Sequence, residues 1–177
     1  LRYGRGNWPG LHSEAIVYDY LMPMCSPDYL VQLEDHGTSP EERLTQARLI
    51  DSVKTTMQWD NWLARHRIQR RSDTSALRFD RSSMAIQQAI NGLGVVLDST
   101  TLARDELLDG TLVPLVPELG AIRFPGYWIV SPARHQSRRL VKVFSEWIKA
   151  EAQQHSREVE KYLAQHKIAV IDEEAVV

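Results

Sequence analysis

The segment Arg78–Leu97, RFDRSSMAIQQAINGLGVVL, constrains this chain more than any other. It reads as a strand, a turn, an amphipathic helix, a glycine break and a second strand. Ile86, Ala89, Ile90 and Leu93 give the helix one apolar face, Gly92 and Gly94 end it, and Val95-Val96-Leu97 reads as a buried strand. A helix that starts straight after a strand turns its unpaired N–H groups and positive dipole end outward. Asp80, Ser82 and Ser83 stand at that start, where such donors suit a carboxylate or another small anion. Simple capping is the plain alternative, because Asp and Ser are favoured N-caps in any helix. The two glycines are no dinucleotide fingerprint, since they follow the helix instead of preceding it.

The same alternation runs through the rest of the chain. Leu1–Tyr3 reads as the end of a strand, so the sequence is expected to begin inside a domain. Glu14–Cys25 is rich in Ile, Val, Tyr and Leu and reads as extended. Ser26-Pro27 and Ser39-Pro40-Glu41-Glu42 are helix starts, each with Ser before Pro. Arg48–Val53 is a short strand. Trp59, Trp62, Leu63 and His66 fall at helical spacing. A helix is expected from Ser99 to Leu108, ending at Asp109-Gly110. Leu112–Val116 and Tyr127–Val130 read as extended. Leu140, Val143, Phe144, Trp147 and Ile148 mark an amphipathic helix from about Ser137, running toward Tyr162 with a weakening stripe. Ile168–Ile171 is a final β-like piece beside Glu173 and Glu174. Together these predict an α/β fold with a mostly parallel sheet and crossover helices.

Composition narrows the function. The 177 residues carry a net charge of −2, which argues against a dominant nucleic-acid surface but not a local basic patch. One cysteine, Cys25, excludes an internal disulfide and fits a reducing compartment. No apolar run is long enough to read as a transmembrane helix. Cys25 lies at a helix start, but nothing in the sequence positions a base for it, so a buried inert thiol is the better reading. The six histidines show no metal-site spacing, and no metal or cofactor is expected. Trp59 and Trp62 read as core before cleft. Arg65, Arg67, Arg70 and Arg71 read as a solvated helix end. Tyr127 begins a strand after Pro125-Gly126, as a packed aromatic or a ligand contact.

The ordered set LRYGRGNWPG (Leu1–Gly10), MPMCSP (Met22–Pro27), Arg78–Leu97, DGTLVP (Asp109–Pro114) and Tyr127–Trp147 resembles the effector-binding domain of LysR-type transcriptional regulators. Its likeness is to the branch of the glycine-cleavage activator and the β-lactamase regulator, over roughly residues 1 to 150. The resemblance implies a periplasmic-binding-protein-like fold: two Rossmann-like lobes, the first incomplete. Residues 1–16 would end the first lobe and make the first crossover. Residues 17–125 would form the second lobe, and 126–152 the return crossover and closing helix. Residues 153–177 would be an extension of unassigned role.

The resemblance also implies a ligand cleft between the lobes, contacted by Asp80, Arg81, Ser82 and Ser83 on the second lobe, with Ser83 and Tyr127 at the branch's ligand-contacting serine and crossover tyrosine. It implies a non-enzymatic, cytoplasmic sensor of a small, carboxylate-bearing effector. The full-length protein would be a homodimer or homotetramer that meets DNA only through a winged helix-turn-helix outside this chain. A transporter's solute-binding protein is the alternative with the same cleft. A small α/β enzyme would need a reactive group at Ser82–Ser83 or Cys25. An incomplete first lobe would also expose apolar surface that favours association.

Overall fold

The computed structural model describes residues 1–34, 39–69 and 77–173. His36, Arg70, Arg71, Ala76 and Glu174 therefore lie outside the described residues. The elements are β1 (Arg2–Tyr3), β2 (His12–Cys25), α1 (Pro27–Glu34), α2 (Pro40–Gln46), β3 (Leu49–Ser52), α3 (Trp59–Arg65), β4 (Leu77–Phe79), α4 (Ser82–Ile90), β5 (Val95–Ser99), α5 (Arg104–Asp109), β6 (Val113–Pro114), β7 (Ala121–Ser131), α6 (Arg139–Gln165) and β8 (Val170–Asp172).

The strands form one sheet in the order β1-β7-β2-β5-β3-β4, with β6 added to β2 and β8 added to β7. The sheet is mixed, which corrects the expectation of a mostly parallel one. β5, β3 and β4 run parallel, as the strand–helix alternation requires. β2 and β7 instead pair antiparallel from His12↔Ser131 to Leu21↔Ile122, although about a hundred residues separate them in sequence. No local pattern records a pairing of that range.

The strands alternate their side chains across the sheet, and helices cover both faces. Tyr20, Met22, Met24, Ile50 and Val96 face Ala85, Ile86 and Ala89 of α4 and Val159, Tyr162 and Leu163 of α6. Leu21, Leu49, Val95 and Leu97 face the other way, onto Trp59, Trp62 and Leu63 of α3 and Leu44 of α2. Trp59 and Trp62 are thus core, and Trp59 donates its indole N–H to the Ile50 carbonyl at 3.0 Å. Cys25 is buried. Gly94 allows the chain entering β5 to approach the start of β3 closely: a Cβ there would stand 2.4 Å from the Arg48 carbonyl oxygen, which accepts the Val95 N–H at 2.8 Å.

Two helices depart from expectation. α5 starts only at Arg104, because the hydroxyls of Ser99 and Thr101 are engaged elsewhere and hold Thr100–Ala103 in a turn. α6 runs for 27 residues, and its two halves exchange the expected roles. Leu140, Val143, Phe144 and Trp147, the strongest apolar stripe, are exposed, whereas Ala152, Val159, Tyr162 and Leu163 join the core. Residues beyond the expected domain end are therefore part of the fold, and β8 extends the sheet along Ala121–Arg123.

Candidate functional site

In an open α/β sheet the carboxyl ends of parallel strands are where connecting loops gather and ligands bind. Here β3, β4 and β5 each deliver a turn to the same cleft, which measures about 290 Å³. The turn after β3 supplies Lys54 and Thr55, the turn after β4 supplies Asp80, Arg81 and Ser82, and the turn after β5 supplies Leu102. Tyr3 of β1 and Tyr127 of β7 close the remaining side. They are register partners, with ring centroids 5.0 Å apart. Gly126 permits this packing, since a Cβ there would lie 2.9 Å from the Asp19 Cβ and 3.3 Å from the Tyr3 ring.

The turns are braced by side chains. The Gln58 amide donates to the Ser52 carbonyl at 3.1 Å, and the Thr55 hydroxyl approaches the carbonyls of Ser52 and Met57 at 3.1 and 2.8 Å. Arg81 is the N-cap of α4 but makes no side-chain capping bond, so the capping alternative does not describe this helix start. The Ser82 hydroxyl instead meets the Ser52 hydroxyl at 3.1 Å, tying the β4 turn to the β3 turn. Of the residues expected from sequence, Asp80, Arg81, Ser82 and Tyr127 line the cleft. Ser83 is exposed on the first turn of α4 and is not among the lining residues.

Two buried carboxylates underlie this cleft. Asp19 of β2 is fully buried and accepts four donors: the backbone N–H of Tyr20 at 2.9 Å and of Thr101 at 3.2 Å, and the hydroxyls of Thr101 at 2.9 Å and Ser99 at 2.5 Å. Burial pushes its pKa up against these bonds. Asp98 of β5 accepts the Ser99 N–H at 2.8 Å, while its buried Oδ2 makes no hydrogen bond. Burial is the main cause that raises Asp98 to about 6, with the Ser82 and Ser52 hydroxyls opposing and Asp19 adding to the rise. Burial, and then the charge of Asp19, pushes the Tyr127 phenol up to about 12, so it is protonated at neutral pH. The Tyr3 phenol is raised for the same two reasons.

Sequence reading missed Tyr3, Lys54, Thr55 and Leu102 at the rim and the carboxylates beneath. The turn residues had an available signal: Arg48–Val53 reads as a strand, and its carboxyl end should share the cleft of its parallel neighbour. Asp19 and Asp98 carried none, because each lies inside a strand and gains its meaning from the β2–β5 pairing, where Met22 faces Asp98 and Leu21 faces Ser99. Among the described residues no group of His, Cys, Asp and Glu could hold a metal ion.

Comparison with known proteins places this geometry. The family model described as LysR substrate binding domain matches residues 1–153. The chain belongs to this family. It is 36% identical over 134 residues to the HTH-type transcriptional regulator PerR of Escherichia coli, covering 75% of this chain and 43% of that protein. It is 29% identical over 150 residues to the glycine cleavage system transcriptional activator of Escherichia coli, covering 85% and 48%. The chain thus spans less than half the length of these relatives, which are transcriptional regulators and not enzymes.

Among solved structures, the effector domain of the regulator AmpR of Pseudomonas aeruginosa matches with a TM-score of 0.70 at 22% identity, over 88% of this chain and 72% of that one. The regulatory domain of CrgA of Neisseria meningitidis matches with a TM-score of 0.61 at 17% identity, over 85% and 73%. The fold is the periplasmic-binding-protein-like α/β fold of such domains.

Proposed function

We propose that this chain is the effector-sensing part of a LysR-type regulator, and that the cleft at the ends of β3, β4 and β5 binds a small carboxylate-bearing metabolite. The convergence of Lys54, Arg81 and the start of α4 on one cleft carries this reading, since two cations and a helix N-terminus outweigh the one lining carboxylate, Asp80, and favour an anion. Residues 17–125 form the second lobe, 1–16 and 126–152 belong to the first, and the cleft lies on the wall between them. The two lobe arrangements differ in affinity for the effector, so binding shifts their populations. That shift acts on a cytoplasmic homodimer or homotetramer. DNA is met through a winged helix-turn-helix outside this chain, and the chain alone does not hold a promoter. The regulators named above speak against the transporter reading. No helix among the described residues is long and apolar enough to cross a membrane.

A titration of the isotope-labelled chain with a panel of small carboxylates, followed by amide chemical shifts, tests the site. Shifts concentrated at residues 80–83, 99–102 and 127 are expected. Shifts absent from these residues while a carboxylate binds elsewhere would contradict the reading.

A further inference from the structure

The segment Gly4-Arg5-Gly6-Asn7-Trp8 lies outside the cleft lining, yet it packs on the strand that carries Tyr127. The β2–β7 ladder is irregular where Tyr127 sits. Ala15 pairs with Trp128, Val17 with Tyr127 and Tyr18 with Pro125, so Ile16 is an extra residue on β2 and Gly126 an extra residue on β7. A bulge thus flanks the Val17–Tyr127 pair on each side. A bulged residue is left unpaired and its strand bends, so the ladder with β2 does not by itself set the direction of Tyr127.

Trp128 supplies what the ladder lacks. Its indole N–H donates to the Gly4 carbonyl at 2.7 Å and also reaches the Pro125 carbonyl at 3.2 Å. Pro125 and Trp128 stand on opposite sides of Gly126, so the indole spans the bulge. The Gly126 carbonyl in turn accepts the Gly4 N–H at 3.0 Å. Gly4 is thereby held by both of its backbone groups, and the neighbouring Tyr3 is held against Tyr127.

Gly6 closes the arrangement from the other side. A Cβ there would stand 2.4 Å from the Trp128 ring, and its φ of +85° suits glycine. The Trp8 ring meets the indole edge-on, with centroids 6.1 Å apart. Successive side chains of a strand point to opposite faces, so Trp128 points away from the face of Tyr127. Trp128 is not among the cleft-lining residues, and its influence there passes through the backbone.

We propose, resting on the reading of this cleft as the effector site, that Trp128 is a positioning residue: its indole N–H, shared by the Gly4 and Pro125 carbonyls, clamps the Gly126 bulge and fixes where the Tyr3 and Tyr127 rings stand. The spacing of Gly4, Gly6 and Trp8 then has a purpose, as the seat of one indole. An aromatic ring without an N–H would fill that seat and leave the Gly4 carbonyl without its donor.

Propionate is the probe, titrated into the full 177-residue chain with the amide shifts of Ser82 and Thr101 as readout. Trp128→Phe keeps a ring and removes the donor. It should weaken propionate by roughly threefold to tenfold, the equivalent of one hydrogen bond misplaced at Tyr127. In the Tyr127→Ala chain, Trp128→Phe should cause no further weakening. Nuclear Overhauser contacts between the Tyr3 and Tyr127 rings, whose centroids lie 5.0 Å apart, should fade in Trp128→Phe without any ligand. Gly6→Ala, which pushes the indole from its seat, should show the same two losses.

Unchanged propionate affinity, or unchanged ring contacts, in folded Trp128→Phe overturns the inference and leaves the effector-site reading standing. A loss of equal size with and without the Tyr127 side chain overturns the action through Tyr127. If Trp128→Phe does not fold, Gly6→Ala decides by the same two measurements. Propionate that moves no cleft amide in the wild-type chain contradicts the carboxylate reading, and the ring contacts then decide the role of Trp128 on their own.

Discussion

Ser99 donates its hydroxyl to the buried carboxylate of Asp19, joining by side chains two strands whose backbones already pair through Leu21 and Ser99. The bond ties the turn after β5 to β2, and β2 is the strand that β7 and Tyr127 lie against. The rim and the buried network are therefore mechanically one unit, and substitutions below the cleft should be felt at its surface.

Asp98 should give the fold a distinctive pH dependence. Its carboxyl is raised from 3.8 to about 6 in the folded chain, so between these values the folded state binds a proton that the unfolded state does not. The stability it contributes is present below 3.8 and is lost as pH rises through 6, amounting to about 3 kcal/mol. Urea denaturation at a series of pH values from 3.5 to 7 should show that decline. The Asp98→Asn chain should lack the part that Asp98 contributes and keep the part due to buried Asp19, whose pKa is raised in the same direction; a decline of unchanged size in that variant would place its origin away from Asp98.

Ser82 and Ser83 are adjacent in sequence but differ in place. Ser82 lines the cleft and meets Ser52, whereas Ser83 is exposed outside the lining. Ser82→Ala should weaken carboxylate binding by about 0.5–1.5 kcal/mol, the worth of one hydrogen bond. Ser83→Ala should weaken it less, in calorimetry with the same ligand. The reverse order would show that the cleft closes over Ser83 when occupied.

Leu163 tests whether the end of α6 belongs to the domain. It is 2% exposed and packs with Leu107 and Ile168. Leu163→Ala should cost about 2–5 kcal/mol of unfolding free energy. A loss below about 0.5 kcal/mol, the scale of ordinary surface substitutions, would mean that this part of the helix is not held as described.

Gly126 is constrained by space. Gly126→Ala would press a Cβ to 2.9 Å from the Asp19 Cβ, and overpacking of this kind costs about 1–3 kcal/mol. The shift must also move Tyr127, so thermal melting and ligand binding should weaken together. Unaltered binding in a destabilised chain would uncouple Tyr127 from the strand beneath it.

Much of this fold was legible because its signals are local. Ser39-Pro40 announced α2, where the structure has a full capping box between Ser39 and Glu42, and Arg78–Leu97 announced β4, α4 and β5 in order. The antiparallel β2–β7 ladder was not legible, because pairing between distant segments leaves no periodicity in either. The apolar stripe of α6 misled in a physical way: periodicity shows that a helix has an apolar face, but not what lies against it. Leu140 is 83% exposed, while the weaker stripe around Tyr162 is core. At the site, residues at a helix start were visible, but Asp19 was not. Its role depends on Ser99 and Thr101, eighty and eighty-two positions away.

Binding of an anionic effector in the proposed cleft, beside Arg81 and Tyr127, is decided by calorimetry with the tightest-binding member of the carboxylate panel, on wild type, Arg81→Ala and Arg157→Ala. Arg157 lies on α6 outside the cleft lining and serves as the charge-matched control. Loss of one charged contact at Arg81 should weaken binding by roughly tenfold or more, with Arg157→Ala close to wild type. Equal affinity of Arg81→Ala and wild type, or an equal loss in both variants, would contradict the assignment of the site.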